Sequence, residues 1–305
     1  MDRTGSASRR GMWSIAGAGT LWGTTGVVTR ALYAFSSTNA FSLAFLRLVI
    51  AALIFFLLCW RLPGHQMRRM KRRDALLLIF MGTMQAVFQY CYLAAIPDCG
   101  VTIATLIALC VAPVIVVLFA TLFLRERPTR KVLLALLCAL GGTVLLTSAP
   151  AGSQAFSNLP LGVLLSLSSA SGYAGVILSG RALSSRYPSL QINSISFATG
   201  ALLLLICALS TRLVLVYPAQ SWLLLVYLGC IPTALAYTLF QAGIRTTPAT
   251  LTSILTLCEP LTAAVLAWLL FGEHLSPLGI GGALLLFGTI FLLARGESTV
   301  ERAGT

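Results

Sequence analysis

Two charged residues stand where charge is expensive. Glu259 lies in LTLCEPLTAAVLAW and Arg47 in FSLAFLRLVIAAL, the only acid and the only base deep within long apolar runs. An ionised group there must face a cavity, a partner or water, because facing hydrocarbon costs at least about 2.5–3.5 kcal/mol. Glu259 can bind a cationic group, carry a proton, or hold two helices together. Pro260 next to it has no N–H, so it can kink a helix and expose an upstream carbonyl. Arg47 can attract a carboxylate, pair with Glu259, cap exposed carbonyls, or snorkel outward along its stem. Arg47, Pro113 and Pro260 are read as structural or gating positions, and Glu259 as a binding position.

A second set is polar without being charged. Trp22 sits in TLWGTTG and Tyr173 in SASGYAG, both among small residues that permit close packing or leave room for a ligand. Gln85 and Gln89 are four apart and share a helical face, as do Tyr237 and Gln241. With Tyr90 these residues could line a cavity in which amides and phenols orient a zwitterion and rings cover its apolar side chain. Each taken singly is also an ordinary interhelical hydrogen bond or packing group. Glu126 and Glu273 follow apolar runs and read as boundary or gate-stabilising acids. His65 and His274 lie in connections, and no Cys/His cluster has metal spacing. Seven cysteines fall in apolar segments and only Cys99 in a connection, without a CxxC pair. No phosphate-loop motif occurs, which disfavours intrinsic ATP-driven pumping. No cofactor is expected.

The elements that position these residues follow from composition. The chain has 305 residues, 58% hydrophobic and 10% charged, too few charges to coat a water-soluble protein of this size. The net charge of +13 is clustered between apolar segments, so a nucleic-acid surface is disfavoured against the positive-inside bias of a membrane protein. Spans of about 20 apolar residues read as 12–32, 40–60, 75–96, 101–124, 132–147, 161–180, 190–211, 222–242, 248–271 and 278–294. The first is expected to be a retained helix rather than a signal peptide. With both termini cytoplasmic, every Lys and Arg except Arg30, Arg47 and Arg212 falls on or at the edge of the cytoplasmic side.

The sequence also matches itself. At a shift of 147, Gly82 meets Gly229, Tyr90 meets Tyr237, Pro113 meets Pro260 and Glu126 meets Glu273, without a gap. At a shift of 151, Gly11 meets Gly162 and Arg30-Ala31-Leu32 meets Arg181-Ala182-Leu183. Five spans per copy is an odd number, so the second copy enters from the opposite side. The expected fold is an all-α integral membrane protein of ten transmembrane helices in two inverted five-helix repeats, residues 12–148 and 160–295. Such a pair suits alternating access about a midplane site, though it can also scaffold a channel or a membrane enzyme.

The segments ALCVAPVIVVLFATLFLRERPTR and LTLCEPLTAAVLAWLLFGEHLSP each carry a proline near mid-helix and a glutamate after an apolar run. Together with LWGTTGVVTR and LAFLRLVIAAL they resemble the drug/metabolite transporter superfamily, specifically its bacterial EamA-type permeases, from about Trp13 to Arg295. A narrower resemblance is to YddG-like amino-acid exporters. The resemblance implies a ten-helix exporter of small organic solutes in the cytoplasmic membrane, commonly amino acids or related metabolites. Ala112 precedes Pro113 where Glu259 precedes Pro260, which argues against a carboxylate mechanism symmetric between halves. The expectation is therefore a non-enzymatic, monomeric secondary permease with membrane lipid as its surroundings, a small amino acid as its partner and proton coupling through Glu259 as an option. Multidrug or nucleotide-sugar transport, and a membrane enzyme acting on a lipid-linked substrate, are the alternatives.

Overall fold

A computed structural model describes residues 3–61, 69–126, 128–147, 158–208, 213–271 and 276–300. The described residues are helical apart from short connections. The helices are α1 (Arg3–Phe35), α2 (Ala40–Arg61), α3 (Arg72–Phe123), α4 (Arg130–Thr147), α5 (Leu159–Ser184), α6 (Ser189–Ala208), α7 (Ala219–Gly229), α8 (Ala236–Gly243), α9 (Ala249–Leu255), α10 (Cys258–Phe271) and α11 (Pro277–Val300). A π turn, Cys230–Leu235, joins α7 to α8. Helix is the natural choice for such a chain, because hydrocarbon offers backbone N–H and C=O groups no partner other than one another.

Among the described residues, seven segments are long and apolar enough to cross a membrane: Ala40–Arg61, Arg72–Ala95, Ile103–Phe123, Leu159–Ser184, Ser189–Cys207, Ala219–Gly243 and Ala249–Leu270. Pro277–Leu293 is apolar but shorter. Helix α1, diluted by Gly, Ser and Thr, and α4, which begins at Arg130-Lys131, fall short of that measure. The protein is thus an all-α, multi-spanning membrane protein.

The third and fourth spans fall on either side of the PDCG link as expected, at Arg72–Ala95 and Ile103–Phe123, although the helical hydrogen bonding runs on through the link as one element, α3. The run turns sharply there: Tyr92 Oη and Thr105 Oγ1 are 2.8 Å apart, whereas thirteen residues of straight helix would hold them roughly 20 Å apart. Proline, which lacks a ladder donor, and glycine occupy the turn in the sequence. Conversely, the ninth span is not continuous. It breaks between α9 and α10, and the eighth carries the π turn.

Helix α3 packs along α5, α1 runs against α8 and α10, α2 crosses α6, and α4 crosses α11. Phe55 of α2 meets Phe197 of α6 edge-on at 5.3 Å, and Phe197 in turn meets Tyr237 of α8 at 4.8 Å. Several close approaches between helices require glycine, among them those at Gly11 and Gly162. A Cβ on Gly11 would collide with the side chain of Thr246, and one on Gly162 would lie 2.6 Å from Cys99 Cβ.

Candidate functional site

The break in the ninth span sets the site. Pro260 has no N–H to give to Thr256 O, four residues earlier, and that carbonyl instead accepts from Glu259 N at 3.0 Å. Leu257 N likewise reaches back three residues, to Ile254 O at 3.1 Å. Hydroxyls compete with the ladder on the approach: Ser253 Oγ donates to Thr250 O at 2.7 Å and Thr256 Oγ1 to Ser253 O at 2.9 Å. The helix ends at Leu255 and restarts at Cys258, leaving Glu259 in the first turn of α10. A carboxylate is well placed there, at the positive end of the helix dipole.

The π turn positions the opposite charge. Pro232 also lacks an N–H, and the carbonyl four residues before it, Leu228 O, accepts from Thr233 Oγ1 at 2.6 Å. Thr233 Oγ1 in turn accepts from Arg47 Nε and Nη2, each at 3.4 Å. Arg47, from the middle of α2, is 6% exposed.

Both charges open onto one cavity of about 60 Å³. Its walls are aromatic, with Trp22, Phe88, Tyr92, Tyr173 and Tyr237, and Thr25, Gln89, Thr105, Ala108 and Leu109 complete the lining. Trp22 meets Tyr237 at 5.0 Å and Tyr173 edge-on at 6.1 Å, while Phe88 stacks on Tyr173 at 5.0 Å. The salt bridges among the described residues are Arg181–Glu126 and Arg186–Asp74. Arg47 and Glu259 share the cavity without closing into such a pair. The indole N–H of Trp22 and the hydroxyl of Thr25 are buried with no protein partner.

Of the residues singled out in the sequence, Trp22, Gln89, Tyr173, Tyr237 and Glu259 come together at this cavity. Gln85 stands behind the wall, donating Nε2 to Tyr237 Oη at 2.9 Å. Gln241 lies one helical turn beyond Tyr237 and donates to Gly180 O at 3.0 Å. Tyr90 does not line the cavity. It packs against Phe41 at 4.3 Å instead, because one step along a helix from Gln89 rotates the side chain by about 100°. Tyr92, three residues from Gln89, shares the inward face. Arg47, expected as structural or gating, lines the cavity, whereas Pro113 is buried within the continuous α3 and Pro260 opens α10.

Glu126, read as a boundary acid, bridges elements far apart in the chain. It accepts from Arg181 Nε at 3.2 Å and from Ala249 N, the first residue of α9, at 2.9 Å. Arg181 also donates to Ile244 O and Arg245 O at 2.8 and 2.9 Å. Asp74 accepts from Arg186 and from the Tyr187 hydroxyl, both at 2.7 Å. His65, Glu273 and His274 lie outside the described residues.

Comparison with known proteins agrees with this architecture. Residues 9–148 and 160–295 each match the EamA-like transporter family. The chain is 30% identical over 291 residues to the uncharacterized transporter YwfM of Bacillus subtilis, covering 92% of this chain and 94% of that one. It is 29% identical over 308 residues to the uncharacterized inner membrane transporter YicL of Salmonella typhimurium, covering 97% and 99%. A solved crystal structure superposes with a TM-score of 0.79 across 95% of this chain and 98% of the other at 20% identity, which shows a shared fold. The chain belongs to the EamA-like transporter family, as a secondary transporter of small molecules and not an enzyme.

Proposed function

We propose that the protein exports small zwitterionic amino acids and related metabolites across the bacterial cytoplasmic membrane. The observation that carries this reading is the pair of oppositely charged residue types, Arg47 and Glu259, facing one aromatic-walled cavity without forming a salt bridge. A guanidinium matches a carboxylate by fork geometry. The Glu259 carboxylate matches an ammonium group, and Trp22, Tyr173 and Tyr237 cover a short apolar side chain. The unpartnered donors on Trp22 and Thr25 add capacity for a ligand's acceptor oxygens.

Size favours a small solute. A cavity of this volume holds roughly four to six waters, on the order of 120–180 Å³ of liquid. That matches a small or medium amino acid and is too little for a polyaromatic drug or a nucleotide sugar. The single cavity arginine also provides no polybasic surface for a pyrophosphate.

The transport cycle in this reading is alternating access by two inverted five-helix halves, residues 12–148 and 160–295, with both termini cytoplasmic. Three observations support it. The family match occurs twice along the chain. Helix packing is exchanged between halves, since α3 of the first packs on α5 of the second, while α8 and α10 of the second pack on α1 of the first. Among the tight glycine contacts, one pair is exchanged too: Gly11 and Gly162 are 151 apart, and their partners Thr246 and Cys99 are 147 apart. Glu126–Arg181 and Asp74–Arg186 each join one half to the other, and in this reading both lie toward the cytoplasmic side.

Counterflow in proteoliposomes tests the substrate. Radiolabelled L-alanine or L-threonine should exchange against the same amino acid at saturable rates. Arg47→Gln should abolish this while leaving the thermal melting profile in place. Failure of a folded wild-type protein to exchange any zwitterionic amino acid in a panel of neutral side chains would refute the reading.

A further inference from the structure

The contact between Arg47 and the π turn has a purpose beyond packing. Of five guanidinium N–H groups, two point to a single oxygen, Thr233 Oγ1. That oxygen is itself fixed, because its proton goes to Leu228 O, the carbonyl left without a ladder donor by Pro232. The proline thus creates an orphan acceptor, the threonine fills it, and the filling aims the threonine lone pairs at Arg47. No other protein partner of the Arg47 guanidinium appears among the described hydrogen bonds and salt bridges. Thr233 is fully buried and outside the cavity lining, so it orients the guanidinium from behind.

We infer that Thr233 is a positioning residue that turns Arg47 toward the substrate carboxylate, an inference that rests on the amino-acid reading above. Both contacts, at 3.4 Å, exceed the usual 2.7–3.2 Å range, so Thr233 directs the guanidinium rather than holding it tightly. The remaining donors stay free for an incoming anion, and loss of Thr233 should cost less than loss of Arg47. The π turn has no counterpart in the other half: at the shift of 147, Pro232 and Thr233 meet Gln85 and Ala86 within the regular helix α3. A widened turn placed at a binding site is a recurrent use of the π geometry.

The test compares Thr233→Val, which keeps shape and removes the hydroxyl, with Thr233→Ser, which restores it. L-alanine counterflow in proteoliposomes reads KM and kcat, and L-alaninamide, which lacks the carboxylate, serves as a competitor. Thr233→Val should raise the KM for alanine about five- to tenfold with kcat nearly unchanged and alaninamide inhibition unaltered, and Thr233→Ser should sit close to wild type. Thr233→Ala provides the same measurement should the valine variant fold poorly. Equal weakening of alanine and alaninamide, or hydroxyl-free variants indistinguishable from wild type, would overturn the role of Thr233 while leaving the substrate class intact. A wild-type protein that moves no alanine and binds no other zwitterion overturns the amino-acid reading itself, and this role with it.

Discussion

The same apolar-proline motif is used in two different ways. LIALCVAPVI in the fourth span and LTLCEPLTAA in the ninth align through Pro113 and Pro260, yet the first stays helical throughout and the second breaks three residues before its proline. Proline alone therefore does not decide the outcome. At the aligned positions, Ser253 replaces Leu106 and Thr256 replaces Leu109, and both hydroxyls are bonded to carbonyls three residues back. Side-chain donors that compete with the ladder weaken the turn that proline has already weakened. The difference in backbone carries a difference in role. The continuous helix offers Thr105, Ala108 and Leu109 as an uncharged wall, and the broken one offers Glu259 at a helix start.

The comparison can be attacked from its charge first. Glu259→Gln should lower counterflow at least a hundredfold near neutral pH while the protein stays folded. The sign of the pH dependence follows from the proposed ammonium contact: acidification neutralises Glu259, so wild-type affinity should fall as pH is lowered, and the glutamine variant should lose that slope. Arg47, Tyr92, Tyr173 and Tyr237 share the cavity with Glu259, so the slope must be measured against Tyr92→Phe, Tyr173→Phe and Tyr237→Phe controls. Unchanged flux and slope in folded Glu259→Gln would remove the carboxylate from the mechanism. The reciprocal change, Ala112→Glu, places a charge on a fully buried alanine and should cost on the order of 3 kcal/mol, lowering the melting temperature without adding transport.

The backbone is the next target. Ser253→Leu with Thr256→Leu makes the ninth span resemble the fourth, and should restore a continuous helix. A raised melting temperature with roughly a tenfold drop in flux is expected; full activity in the double variant would separate the break from transport.

The smallest effect concerns what anchors the broken span. Helix α9 begins at Ala249, whose N–H is held by Glu126 from the first half of the sequence. Glu126→Gln should free that end. A cysteine replacing the buried Thr250 should then react two- to fivefold faster with a membrane-impermeant maleimide added from the cytoplasmic side. No change would mean that α9 does not move apart from α10.

Much of this was legible in the residues themselves. Apolar length and basic clustering announced a membrane protein, and the offset matches between halves announced a duplicated architecture. Glu259 and Arg47 stood out because charge in an apolar run needs a reason. The aromatic partners were harder to read. Tyr90 aligns with Tyr237 in the repeat, but helix phase turns it to Phe41 and brings Tyr92 to the cavity. Phe88, Thr25 and Thr105 carried no signal, since they are ordinary residues of apolar helices.

Sequence by itself determined the solvent this chain requires, its helical character, its family and the two positions where charge had to be accommodated. Only the tertiary structure decided which helix faces meet, that Pro232 and Pro260 distort their helices beside the site while Pro113 does not, and that Arg47 and Glu259 share a cavity without a salt bridge. The physical reason is that a helix in hydrocarbon is apolar on nearly every side, so its periodicity does not mark an inward face. Hydroxyl-to-carbonyl bonds and contacts between distant helices make that choice, and they exist only once the helices have packed.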